Sequence, residues 1–67
     1  MEKFEYLVLT SQETPQGPSW SGSNGQQIGL NLPLGLNQLG SQGWEMIGAV
    51  DVTRSSRQEI FLKRRKA

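Results

Sequence analysis

Neither cysteine nor histidine occurs in this chain. The first absence excludes disulfides and thiolate metal sites; the second removes imidazole ligands and the one side chain whose ordinary pKa lies near neutrality. General acid–base catalysis most often draws on such a group. The six carboxylates, Glu2, Glu5, Glu13, Glu45, Asp51 and Glu59, are scattered without the paired spacing of a glycosidase or a calcium loop. Serines are plentiful, but a serine nucleophile needs a neighbouring base, and none is indicated. The chain therefore reads as non-enzymatic, with no metal and no cofactor. Long apolar runs are missing too: nothing approaches the roughly 20 residues of a membrane-spanning helix, and the opening MEKFEYLVLT lacks the basic-then-apolar layout of a secretory leader. The expectation is a soluble, cytoplasmic domain with no membrane partner.

Hydrophobic residues make up only 34% of the 67 positions, and they are bunched. The segment 3–10, with Phe4, Tyr6, Leu7, Val8 and Leu9, is short and rich in aromatic and aliphatic residues, which predicts a strand. Residues 11–29 are Ser, Gln, Gly, Pro and Asn around a single Trp20, and such composition predicts a polar loop. Leu32, Leu36 and Leu39 are spaced four and three apart, on one face of a helix over 32–40. Asn31 suits its N-cap, Pro33 its first turn and Gly40 its left-handed C′ position. Gly35 inside that helix costs about 1 kcal/mol relative to Ala, so the helix needs packing to persist. Residues 44–52 and 57–64 predict an antiparallel hairpin, followed by a basic tail at 63–67. The predicted architecture is a single α+β domain in β-α-β-β order, a three-stranded antiparallel sheet with one short helix packed on one face.

Alternation places apolar side chains on both faces of every strand. Phe4, Tyr6 and Val8 oppose Leu7 and Leu9; Trp44, Met46, Val50 and Val52 oppose Ile47 and Ala49; Ile60 and Leu62 oppose Phe61. One helix covers one face, and an uncovered apolar face is uncommon on a monomer. The expected resolution is a homo-oligomer, with Leu7, Leu9, Ile47 and Ala49 at the interface, or a long loop folded over the open face with Trp20 as its plug.

Charge is polarised along the chain. Through Thr53 there is one basic residue, Lys3, against five acidic; from Arg54 onward six basic residues face Glu59 alone. The basic run Lys63–Lys66 is suited to phosphates, but no exposed aromatic pair for base stacking is expected on the sheet, which reads against nucleic acid. Trp20, beside Ser21, Ser23, Asn24 and Gln26, has the amphipathic composition of a binding loop. Those five residues, with Arg54, Arg57 and Arg64, are the candidate ligand-binding set.

The runs FEYLVL, LNQLGSQGWEMIGAV (36–50) and IFLKRR (60–65) resemble a family of short bacterial and phage domains of unknown function marked by an L-N-x-L-G-x-x-G-W-E motif. The resemblance covers about two-thirds of the chain and implies a small β-α-β-β fold, with no activity attached to residues. Within the motif Leu36 and Leu39 anchor the helix and Trp44 starts the next strand with its ring under the helix end. The functional expectation is a non-enzymatic, homo-oligomeric binding module for a small anionic or nucleotide-like ligand, by analogy with phage proteins that sequester a signalling nucleotide. Two alternatives stand beside it: association with nucleic acid through the C-terminal basic cluster, and a structural protein whose role is assembly.

Overall fold

Leu7 and Leu9 project from one side of strand β1 (Phe4–Thr14), and Phe4, Tyr6 and Val8 from the other; the leucine side is the buried one. The computed structural model describes residues 2–52 and 57–66. After β1 come β2 (Gly17–Gly22), β3 (Gln27–Gly29), helix α1 (Leu32–Ser41), β4 (Glu45–Val52) and β5 (Arg57–Arg65). The strands form one antiparallel sheet in the order β3-β2-β1-β5-β4. β3 and β4 are its two edges, so α1 connects one edge to the other, and its Leu39 is buried in one cluster with Leu7, Leu9, Trp20, Trp44, Ile60 and Leu62. Ile28, Leu32 and Leu36 pack against that cluster. Each fully buried leucine contributes about 1.5–3 kcal/mol, and this single layer between sheet and helix is the core.

The three-stranded expectation is wrong, and the error lies in segment 11–29. β1 runs on to Thr14, and the supposed loop is a hairpin with a further strand: Ser11 pairs with Trp20, and Thr14 with Gly17. The Thr14 hydroxyl donates to the Gly17 carbonyl at 2.6 Å and accepts from the Gln16 amide at 3.2 Å, closing the first turn. In the second, Asn24 Oδ1 accepts from the Gln26 amide at 3.0 Å, and Gly25 takes φ 89°, a value that favours glycine. Polar residues suffice for these strands because Thr10, Gln12, Ser19 and Ser21 lie on the uncovered face, while Trp20 supplies the buried one.

Helix α1 starts as expected, with Asn31 Oδ1 accepting from the Leu34 amide at 3.1 Å. It ends later. Gly40 is inside the helix rather than at C′; the left-handed residue is Gly43 (φ 94°), and the amides of Gln42 and Trp44 both donate to the Leu39 carbonyl at 3.0 Å.

In β4 the register shifts between Met46 and Gly48. Met46 pairs with Leu62 and Ala49 with Ile60, so both lie on the helix side, whereas Val50 pairs with Glu59 on the open side. Residue 47 is thus the extra one, and the expected sharing of a face by Met46 and Val50 fails beyond it. No helix among the described residues is long and apolar enough to cross a membrane.

Candidate functional site

The ladder between β1 and β5 stops at Thr10 and Glu59. Beyond it β1 continues only with β2, and β5 begins only with β4, so the two hairpins diverge as a fork. At the crotch the buried Ser11 hydroxyl accepts from the Gln58 amide at 2.8 Å, replacing the backbone bond that the next rung would have made. Val8 exchanges bonds with Ser23 on the β2 side, its carbonyl accepting from the Ser23 amide at 2.9 Å. By the alternation of an antiparallel ladder, the backbone groups of Ser11 and Glu13 therefore face the fork.

Two cavities flank this staple. On the open face Thr10, Ser11, Gln12, Ser21 and Arg57 enclose a polar niche of about 180 Å³. On the helix side a larger notch of about 290 Å³ has Trp20, Leu32, Ala49 and Ile60 as its apolar wall, with Asp51 and Gln58 also lining it. In the niche the Arg57 guanidinium has five N–H donors in a fixed fork, suited to a phosphate or carboxylate. The hydroxyls of Thr10 and Ser21 and the amide of Gln12 add donors beside it, and Glu59, next to Thr10 across the ladder, brings a carboxylate to the same face.

The expected ligand set is dispersed. Ser21 and Arg57 meet in the niche. Trp20 is 3% exposed and belongs to the core, so it is no contact platform, although it lines the notch on the other side. Ser23 is taken up by Val8, whose amide donates to its hydroxyl at 3.1 Å. Asn24 and Gln26 bond to one another within their turn. Arg64 lies on the helix side, its Nε 3.1 Å from Glu5, its Nη1 donating to the Gln42 carbonyl at 3.2 Å, and its guanidinium carbon 4.3 Å from the Trp44 ring centre. Arg54 lies outside the described residues. Thr10 and Gln12 were missed because they fell in what reads as strand end and loop; their period-two spacing with Tyr6 and Val8 was the available signal.

The expected interface set is split between core and surface. Leu7 and Leu9 are buried beneath the helix, because the leucine face is the one the helix covers. Ala49 is exposed on that same side, and Ile47 is exposed at the bulge. The uncovered face is the aromatic one. Phe4, Tyr6, Val8 and Phe61 share it, so the expected lack of an exposed aromatic pair does not hold. The basic run is split between faces: Lys63 and Arg65 are on the open side, with Lys63 Nζ 4.9 Å from the Phe4 ring centre and Arg65 bridged to Glu2.

Comparison with protein-family models, with curated proteins and with solved structures finds no match to this chain, so its functional reading rests on its own residues.

Proposed function

We propose that the chain is a non-enzymatic, cytoplasmic binding module that captures a small anionic ligand of nucleotide type in the fork between its two hairpins. The observation that carries this reading is that Arg57, Thr10, Gln12 and Ser21 line one niche. Among the described residues the ion pairs are Glu5–Arg64 and Glu2–Arg65, and Arg57 is engaged in neither. Glu59, two residues along the same strand face, favours a ligand that also carries hydroxyl or amino donors over bare phosphate. A nucleoside monophosphate has both ends: an anion for Arg57 and a sugar edge for Glu59.

The test is an NMR titration of the protein with AMP, inorganic phosphate and adenosine. AMP should shift the amides of Ser11, Ser21 and Arg57 with a Kd below about 1 mM, more tightly than phosphate, and Arg57→Ala should weaken it at least about tenfold, as loss of a charge-assisted bond does. Absence of AMP binding, or equal binding by Arg57→Ala, overturns the reading.

A further inference from the structure

The open face of the sheet has a feature that the niche does not use. Tyr6 is 65% exposed, Phe4 38% and Val50 47%. Val8 and Phe61, half-buried, sit between them as direct ladder partners. Phe61 faces Gly48 across β4, so its ring has no side chain beside it on that flank. The patch lies over β1 and β5, the central strand and its neighbour, and reaches β4 through Val50. It is therefore a central feature of the face and not a fringe of the sheet.

Size and shape say how much cover is missing. The chain exposes 4902 Å², whereas a free-standing monomer of this mass exposes about 4,250 Å². The excess of about 650 Å² approaches the roughly 800 Å² that each partner contributes to a standard protein interface. The radius of gyration is 12.4 Å, against about 10.9 Å for a compact chain of this length. With extents of 44 × 23 × 17 Å, the molecule is a long slab, one sheet and one helix thick.

Charge says what the cover is. On the open face Lys63 and Arg65 are matched by Glu45 and Glu2: Glu45 pairs with Lys63 in the ladder, and Arg65 is bridged to Glu2. A polyanion gains little from a balanced surface. A surface carrying both signs around aromatic and aliphatic side chains is complementary to itself under a two-fold rotation, as an isologous interface requires.

We propose that a second copy of this chain docks on this face, sheet against sheet, around Tyr6, Phe61 and Val50. The two sheets pack about 10 Å apart with the helices outermost. The proposal is independent of the anion niche, whose Arg57 lies at the forked end of the face, so either stands if the other fails.

Sedimentation equilibrium of the full chain from 5 to about 500 μM, at moderate salt, tests it. The expected result is a monomer–dimer equilibrium whose dissociation constant rises about 30-fold in Tyr6→Glu, the loss of one central interface residue. The exposed Tyr6 makes that variant able to fold, which its far-UV circular dichroism verifies. Ile47→Glu, at the bulge on the free edge of β4, should dimerise like the parent chain. A parent chain that stays monomeric, or a dimer weakened by Ile47→Glu and not by Tyr6→Glu, overturns the proposal. So does a short single-stranded oligonucleotide that shifts the Tyr6 and Phe61 amides in NMR while the protein remains monomeric, because the face then belongs to nucleic acid.

Discussion

Ile28 of β3 occupies the space that a side chain at Gly35 of α1 would need. A Cβ at position 35 would fall on Cγ2 of Ile28 and lie 3.3 Å from its Cβ and Cδ1. The helix approaches the edge strand this closely only because residue 35 has no side chain. Gly35→Ala should therefore destabilise the protein, although alanine in a helix is normally favoured by about 1 kcal/mol. The overpacking cost of about 1–3 kcal/mol outweighs that gain. In an Ile28→Ala background the overlap with Cγ2 is gone and only a tight 3.3 Å approach to the remaining Cβ is left, so the same substitution should become close to neutral. Urea denaturation of the four chains in this double-mutant cycle reads the coupling between the two positions.

The staple at the fork makes a separate prediction. Ser11→Ala leaves the Gln58 amide without its acceptor in a part-buried position. The cost should be about 1–2 kcal/mol, with hydrogen exchange at the Gln58 amide speeding up more than at Ile60 or Leu62, which remain within the β1–β5 ladder. Equal acceleration at all three amides would mean that Ser11 contributes to global stability and not to closing the fork.

These two sites show what was legible in the sequence and what was not. The first strand and the helix carry apolar residues at strand and helix periods, and Asn31 marks the cap, so both were readable. β2 and β3 were not, because on a face open to water Thr10, Gln12, Ser19 and Ser21 need no hydrophobicity, and strand and loop then share a composition. Only Trp20 and Ile28, pointing inward, betrayed them. The bulge at Ile47 was hidden for a different reason: an extra residue shows itself in the pairing with β5 and leaves β4's own composition unchanged. Ser21 and Arg57 were both named from residue type, but their meeting depends on where one ladder stops. That same stopping point brings in Thr10 and Gln12.

Trp20 gives a clean separation of core from binding. Trp20 is buried in one cluster with Leu7, Leu9 and Ile60, and its replacement by Ala should cost about 3–5 kcal/mol, enough to unfold much of a domain this small. Trp20→Phe keeps most of the volume and should leave a folded chain with a lower denaturation midpoint. AMP affinity in that folded variant should stay within about twofold of the parent, a difference of less than 0.5 kcal/mol. A tenfold loss in Trp20→Phe would place the ligand on the helix side of the fork, in the notch that Trp20 lines.

Arg64 tests how a cation contributes when its ion pair is wet. The Arg64–Glu5 pair has side-chain exposures of 33% and 38%, so its charge attraction is worth at most about 1 kcal/mol and is screened by salt. The same guanidinium lies 4.3 Å from the Trp44 ring centre and donates to the Gln42 carbonyl at 3.2 Å, tying the helix end to β5. Planar stacking and the forked donor geometry belong to arginine and are not reproduced by lysine. Arg64→Lys, which keeps the charge, should therefore lose more than half of the stability lost in Arg64→Ala, which we expect to be about 1–2 kcal/mol. Raising sodium chloride to 1 M should narrow the gap between parent and Arg64→Ala only slightly. A gap that closes in salt, with Arg64→Lys as stable as the parent, would assign the residue to simple charge pairing with Glu5.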